Sequence, residues 1–283
     1  NVEDGYTAPS MAQSMDVAWS IDRLTVLGIQ EAWTAILPER GRLRNGLGIG
    51  TVAAASFGLL IAGGWMHEEW HRAVLSSQGV DSRNGFYHAE AWSSGLVSVD
   101  HVSDKDLARL KDEDPAAMSR AMSAGMEAEL ALVARANDET FLHGGAGRRF
   151  GPFYASGSWM APLLLYTEVS AIGYHYWCMD PALEDTIDEH NERLEDWRLR
   201  DFTGPDCTAW VRDTLRPDEP YAARGEHLWG GVDRYVRWSD LSAEEQAFFE
   251  RATRLHLLNL ANPQLFGVDG VLVGDGSARW VAS

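Results

Sequence analysis

Three long runs of apolar and small residues dominate the hydrophobic pattern of the chain. Residues 45–66 carry no charged side chain, residues 150–179 carry one, Glu168, and residues 255–268 form a shorter run interrupted by asparagine and proline. Runs longer than about eight residues exceed the usual length of a strand and favour buried helices. The pattern therefore predicts two or three long apolar helices.

The segments between these runs show helical periodicity, with apolar residues recurring at three and four positions. Ser103 and Ser242 each precede an acidic residue by three positions, which is typical of a capped helix start. The predicted amphipathic or charged helices span 10–37, 104–111, 115–136, 184–201 and 242–261. Residues 204–231, which are rich in proline and glycine, are expected to be a loop, and residues 268–276 to form a short hairpin.

The apolar runs leave two interpretations of the compartment open. A run of 22 residues such as 45–66 is long enough to cross a bilayer, but its many small residues also suit close helix packing in a soluble core. Arginines precede all three runs, and successive spans cannot all begin on the cytoplasmic side. A membrane-embedded protein and a buried helical core therefore both remain open.

Composition and charge restrict the partners. The formal net charge is −18, which argues against a basic surface that binds nucleic acid or anionic lipid. The only two cysteines, Cys178 and Cys207, permit one disulfide without requiring it. Acidic balance and this cysteine pair favour an extracytoplasmic protein, while the apolar runs leave a membrane-associated protein open.

The strongest chemical signal lies at the end of the first apolar run, in the sequence His67-Glu68-Glu69-Trp70-His71. On a helix, His67 and His71 lie one turn apart on the same face, where two imidazole nitrogens can converge on one metal ion. Glu68 would flank the metal without binding it. A carboxylate in that position can accept a proton from a metal-bound water.

This His-Glu-x-x-His pattern resembles the signature of zincin-type zinc metallopeptidases, specifically the glutamate zincins. The resemblance implies a zinc ion held by His67 and His71, with Glu68 as general base and a peptide or protein as substrate. It also implies a third ligand, a His, Asp or Glu further along the chain, which leaves the fourth position for water.

Glu129 is the favoured third ligand. The helix predicted over 115–136 has an apolar stripe, and Glu129 lies close to most of its members in angle. The stripe consists of Met118, Met122, Met126, Leu130 and Val133. A carboxylate beside an apolar face is costly to bury unless a cation neutralises it.

Three other acids compete for this role. Glu90 follows His71 at a spacing seen in one family of zinc aminopeptidases, whereas Glu127 is expected to face Arg120. Asp269 belongs to a segment, Asn262-Pro263 to Asp269-Gly270, that resembles an element of the intramembrane site-2 proteases in which the Asp binds zinc. The sequence leaves all three open.

Together these observations predict a mainly α protein with a helical, zincin-like core and little β structure. A single domain, 1–283, is expected, with metal-site helices in 46–137, an apolar helix in 150–179, and charged helices and loops in 184–261.

Two other functions remain open. Glu68 to His71 also reads as Glu-x-x-His, an element of di-iron helical bundles, but a di-iron site needs a second copy, which the sequence lacks. The second alternative is a non-catalytic membrane or interaction protein, in which the motif is incidental or degenerate. The charged side chains of Glu69 and Arg72, beside the histidines, keep this alternative open.

Overall fold

The structure is a computed structural model, and it is mainly helical, as the sequence predicted. It describes residues 2–3, 6–38, 41–87, 98–144, 157–192, 204–228, 230–262, 265, 268–272 and 278–282. The helices are α1 (Met11–Ile36), α2 (Arg42–Ser77), α3 (Asp104–Glu113), α4 (Pro115–Gly144), α5 (Gly157–Cys178), α6 (Pro181–Glu192), α7 (Asp206–Leu215) and α8 (Ala243–His256). Short 3-10 turns occur at Gly85–Tyr87, Tyr221–Arg224, Trp238–Asp240 and Leu257–Ala261.

The strands within the described ranges form three antiparallel pairs, each of two strands. The pairs are β1 (Val2–Glu3) with β2 (Tyr6–Thr7), β3 (Arg83–Asn84) with β4 (Val99–Asp100), and β5 (Val268–Leu272) with β6 (Ala278–Ala282). Val268 lies opposite Ala282 in the last pair. The predicted hairpin is therefore present, and it extends beyond the predicted segment.

The described part of the chain contains no helix that combines the length and apolarity needed to cross a membrane.

The chain divides into two compact units, each made of three segments. The first unit comprises Asn1–Ser14, Trp65–Ala128 and Gly173–Arg254, and the second comprises Met15–Gly64, Glu129–Ile172 and Leu255–Ser283. The range 46–137, predicted to carry the metal-site helices, is thus shared between the units. The motif His67 to His71 lies in the first unit.

Among the described residues of the first unit, two buried clusters contribute to its core. One joins the end of α2 to α3 and α4, and it includes Val74, Leu110, Met118, Ala121 and Tyr221. The other surrounds a disulfide between Cys178 and Cys207, and it includes Val211, Val236, Leu241 and Phe249. The disulfide that the sequence left open is therefore formed.

Two helices begin with the side-chain caps that the sequence predicted. The Ser103 hydroxyl accepts the N–H of Asp106 at the start of α3. At the start of α8, the Ser242 hydroxyl accepts the N–H of Glu245, whose carboxylate accepts the N–H of Ser242 in return. These reciprocal bonds satisfy donors that the first helical turn otherwise leaves open.

One local prediction was wrong, and a second was confirmed only in part. Residues 204–231 are not a continuous loop, because α7 occupies Asp206–Leu215. Its N-cap is Pro205, which makes no side-chain cap bond, so the usual helix-start signal is missing. In α4, Met118 and Val133 of the predicted stripe are buried beside several alanines, while Met122 and Met126 are half-buried and Leu130 is exposed.

In the second unit, α2 and α5 pack closely, because a Cβ atom added at Gly48 would overlap the ring of Trp159. Glu168, the single charge in the second apolar run, is buried in this unit. Its Oε2 lies 3.3 Å from Nε2 of His256 and accepts a hydrogen bond from Asn259. The carboxylate is thus paired inside the unit, which is how buried charges are normally accommodated.

The charged neighbours of the motif histidines form a buried ion pair in the first unit. Glu69 is fully buried and accepts a 2.6 Å hydrogen bond from Nε of Arg72. The side chains of Asn84 and Tyr87 also donate to Glu69, and Arg72 donates to the carbonyl of Pro9. This network ties the motif segment of α2 to the turn at 83–87 and to the N-terminal segment.

We expect Arg72→Met to lower the free energy of unfolding by about 3–5 kcal/mol, because it leaves the buried Glu69 carboxylate without its cation. Chemical denaturation would measure this loss. The matched control is Arg254→Met, whose partner Glu250 also lies within one helical turn but at the exposed surface; its cost should stay below about 1 kcal/mol. Equal losses in both variants would contradict a stabilising role for the buried pair.

Asp22 lies on the buried face of α1 in the second unit. Its side chain is 3% exposed and its Oδ1 has no hydrogen-bond partner among the described residues. Burial raises the pKa of Asp22 from 3.8 to about 7. Between about pH 4 and pH 7 the folded chain therefore holds one more proton than the unfolded chain, and stability falls as the pH rises.

Asp22→Asn should remove this fall and stabilise the protein above pH 7 by up to about 4 kcal/mol. Urea unfolding at pH 4.5, 6 and 8 would measure the difference, which should grow with pH. The control is Glu31→Gln, an exposed acid on the same helix, which should show no comparable trend. A constant difference between Asp22→Asn and wild type at all three pH values would refute the assignment.

Candidate metal centre

The motif histidines lie on α2, as the sequence predicted for this segment. His67 and His71 are one turn apart, and their ring centroids are 4.9 Å from each other. His71 is buried, while His67 and the adjacent Glu68 are half-buried. The helix therefore brings two imidazoles together and places a carboxylate next to them in the chain.

One turn of α4, from Ala121 to Gly125, receives both imidazoles. The carbonyl of Ala121 lies 2.5 Å from Nδ1 of His71, and since a carbonyl only accepts, Nδ1 must donate. Gly125 faces His67, because a Cβ atom at this position would overlap the imidazole ring. The helix thus fixes one ring by a hydrogen bond and makes room for the other by lacking a side chain.

The bond to Ala121 determines the chemistry of His71. When Nδ1 carries the proton, a neutral ring presents a lone pair at Nε2, the atom that binds a metal. Metal-binding histidines usually donate a hydrogen bond from the other ring nitrogen to a carbonyl or carboxylate, and this bond sets both the tautomer and the ring orientation.

The third member of the cluster is Asp206, the first residue of α7. Its Oδ2 lies 3.3 Å from Nε2 of His71. One ligand atom from each of His67, His71 and Asp206 lies within 4.8 Å of the others. Asp206 is 37% exposed, whereas the side chain of His71 is 5% exposed, so the cluster is open to solvent on the Asp206 side.

The distance between His71 and Asp206 fits a shared cation. Two donor atoms bound to one tetrahedral zinc ion at about 2.0–2.1 Å lie about 3.3–3.4 Å from each other. The separation between Nε2 of His71 and Oδ2 of Asp206 agrees with this value. A neutral His71 would also direct its lone pair at a carboxylate, an arrangement that only a proton or a metal ion between the two atoms makes favourable.

The first turn of α7 is held by α5. The N–H of Asp206 donates a 3.0 Å hydrogen bond to the hydroxyl of Tyr174, and Cys207 is bonded to Cys178. The ring of Tyr174 also meets the ring of His67 edge-on, with 6.2 Å between the centroids. Tyr174 therefore contacts two of the three cluster residues.

The rest of α7 is anchored by ion pairs. Asp213, which is buried, binds Lys111 of α3 at 3.1 Å and Arg224 at 2.7 Å. Arg216 binds Glu245 of α8 at 2.6 Å. Burial alone would raise the pKa of Glu245, but hydrogen bonds from Arg216 and Ser242 outweigh it and lower the pKa. Asp206 thus projects from a helix that is fixed along its length.

The acids that the sequence proposed as third ligand are not members of the described cluster. Glu129 is half-buried on α4 and belongs to the second unit; it is not part of the described cluster, and its metal role stays a prediction. Glu127 pairs with Arg120 at 3.2 Å, as expected. Glu90 lies outside the described residues. Asp269 lies in β5 opposite Val281, but its side chain is outside the description.

Sequence reasoning missed Asp206 because it assigned residues 204–231 to a loop. Two signals were nevertheless present. Asp206 is an acid downstream of the motif, as the zincin pattern requires, and it adjoins one of the only two cysteines.

The small residues Ala117, Ala121, Gly125 and Ala128 recur at helical spacing in α4, which marks a face that another helix can approach closely.

Comparison with protein-family models, with curated proteins and with solved structures gave no match. The interpretation of the centre therefore rests on its own residues and distances.

Gly125→Ala should weaken divalent metal binding by about 10-fold or more, because the added methyl group displaces His67 and such supporting contacts typically contribute 10- to 100-fold to affinity. Competition with a chromophoric chelator would measure the change for Co²⁺ and Zn²⁺. The matched control is Gly28→Ala, a helical glycine around which a Cβ meets nothing within 4 Å; it should bind metal like wild type. Unchanged affinity in Gly125→Ala would show that this turn of α4 does not position His67 for a metal.

Proposed function

We propose that the protein is a zinc-dependent metallopeptidase, with zinc held by His67, His71 and Asp206 and with Glu68 as general base. The observation that carries this proposal is the convergence of Asp206 on the His-Glu-x-x-His helix. A third acidic ligand downstream of the motif is what the zincin resemblance implies. Asp206 would supply the third ligand that the His-Glu-x-x-His pattern requires but does not locate.

The donor set suits zinc. Two imidazole nitrogens and one carboxylate oxygen are a common ligand set of catalytic zinc sites, in which water takes a fourth position. The partial exposure of Asp206 is consistent with such an open position. Two histidines and one carboxylate also form the set that binds non-haem Fe(II), so metal analysis must measure both elements.

A bound zinc ion would act as a Lewis acid and lower the pKa of its water towards neutrality. The chain supplies the remaining chemistry. His71 is held as an Nδ1–H tautomer by Ala121, so its Nε2 remains a ligand. Glu68 follows His67 directly and would accept the proton of the attacking water, then deliver it to the leaving amine.

The substrate class is a peptide or a protein, as the resemblance implies. The net charge of −18 favours basic or neutral substrates over acidic ones through long-range attraction, and it disfavours nucleic acid. For the compartment we propose an extracytoplasmic or membrane-associated location. The disulfide between Cys178 and Cys207 supports the extracytoplasmic part of this proposal.

Glu129 remains the competing third ligand, and a non-catalytic metal-binding protein remains the competing function. The identity of the third ligand and the presence of catalysis can be tested separately. Ligand identity is decided by metal content, whereas catalysis is decided by a variant that keeps the metal and loses the base.

We expect purified wild type to contain about one zinc per chain, and His67→Ala and Asp206→Ala to lose it, because two remaining ligands bind zinc weakly. Glu68→Gln should retain zinc but lose hydrolysis of a quenched fluorescent peptide library by at least about 100-fold, because general-base catalysis contributes roughly 10²–10⁴-fold. The measurements are metal analysis for zinc and iron, and peptide cleavage.

Asp218→Ala serves as the matched control for Asp206→Ala, since Asp218 is exposed on the segment after α7. Loss of zinc in Glu129→Ala but not in Asp206→Ala would transfer the third ligand to Glu129. Full zinc in His67→Ala would refute the metal site. Zinc without peptide cleavage in wild type would favour the non-catalytic alternative, and iron in place of zinc would exclude the zinc peptidase.

A further inference from the structure

The last turn of α5 holds the first turn of α7 at two adjacent points. Tyr174 and Cys178 are separated by four residues on α5 and therefore share one face of this helix. The Tyr174 hydroxyl accepts the N–H of Asp206, and Cys178 is bonded to the next residue, Cys207. Two consecutive residues of α7 are thus fixed to two consecutive turns of α5.

The N-terminal turn of α7 begins without a side-chain cap. A helix start leaves its first N–H groups without partners inside the helix. Here the N-cap is Pro205, which forms no side-chain cap bond. The Tyr174 hydroxyl satisfies the N–H of Asp206 in place of a cap.

Two attachments restrain more than one. The hydrogen bond holds the Asp206 N–H against α5, and the covalent link at Cys207 holds the next residue, so the two attachments together restrict the direction of the Asp206 side chain. Supporting groups that orient a metal ligand in this way typically change metal affinity by 10- to 100-fold.

We propose that Tyr174 and the Cys178–Cys207 disulfide form a two-point clamp that positions Asp206 for metal binding, so that high metal affinity requires oxidation of the two cysteines. This inference rests on the proposed ligand set and adds a condition for its assembly. Tyr174, Cys178 and Cys207 are positioning residues, because none of them is assigned as a ligand.

The chemistry of this condition is a thiol–disulfide exchange. An oxidised disulfide compound, of the class of oxidised glutathione, exchanges with the two cysteine thiols. Its S–S bond breaks, the Cys178–Cys207 bond forms, and both electrons and both protons pass to the two thiols that leave. Oxidation therefore precedes high-affinity metal loading. Once formed, the disulfide is buried, with each cysteine 4% exposed, which protects it from later reduction.

A purely structural disulfide is the competing explanation, since Cys178 and Cys207 also belong to the buried cluster that contains Val211 and Phe249. A variant that destabilises this cluster without touching the clamp separates the two explanations. Val211→Ala is suitable, because Val211 is fully buried in the cluster and lies about one turn beyond Cys207 on α7.

The first test compares Co²⁺ affinity and the visible spectrum of bound Co²⁺. The measurements are made at a temperature well below the unfolding midpoint of every variant. We expect Tyr174→Phe to bind about 10-fold more weakly than its control Tyr176→Phe, an exposed tyrosine on the same helix. The double variant Cys178→Ser/Cys207→Ser should bind about 10- to 100-fold more weakly than Val211→Ala and show an altered spectrum. Wild type refolded with its cysteines reduced should match the double variant.

Equal Co²⁺ affinity in each variant and its control, with Asp206→Ala still defective, would overturn the clamp and leave the proposed metal site intact. If Asp206→Ala itself binds Co²⁺ like wild type, the proposed ligand set fails, which is a separate outcome.

The second test needs no metal and remains decisive if the double variant does not fold. Hydrogen exchange at the amides of Asp206 and Cys207 in the apo protein should be at least about 10-fold faster in Tyr174→Phe than in Tyr176→Phe. Exchange at α8 should be unaffected. Unchanged exchange at Asp206 would refute the clamp whatever the metal measurements give.

Discussion

The hydrogen bond from His71 to the carbonyl of Ala121 is the interaction on which the candidate centre depends. It fixes the tautomer of a buried imidazole and joins the motif helix to α4 at the point where Gly125 accommodates His67. A bulky residue at either position of α4 would separate the helices and move the rings. The small residues of one helical turn therefore decide whether two histidines of another helix can act together.

The surroundings of the motif explain a departure from the zincin pattern. Zincin ligands usually have uncharged neighbours, whereas here Glu69 and Arg72 are charged. Both side chains are directed into a buried network with Asn84 and Tyr87. Their charges compensate each other and fix the helix, so they are compatible with a working site and are not by themselves a sign of degeneration.

Several features could be predicted from the sequence because their causes are local. Helical spacing and capping residues identified most helices, and the four-residue separation of His67 and His71 placed both on one face. Asp206 could not be predicted in this way. Its helix is short, begins at Pro205 without a side-chain cap, and is positioned by partners distant in sequence, including Tyr174, Cys178 and Lys111. Glu129 was favoured on the assumption of a buried apolar stripe, but only Met118 and Val133 of that stripe are buried, together with alanines of a neighbouring face. The spacing of apolar residues along a helix does not show which of two apolar faces is buried against the rest of the protein.

The wide spacing of the cluster along the chain has a consequence for biosynthesis. His67 and Asp206 are separated by 139 positions, so closing the cluster is a non-local event that occurs late in folding. A chain emerging from the ribosome carries the histidine pair long before the carboxylate exists. The cluster therefore cannot close until α7 has been made and has packed. The order of residues along the chain thus sets the earliest point at which the three side chains can meet.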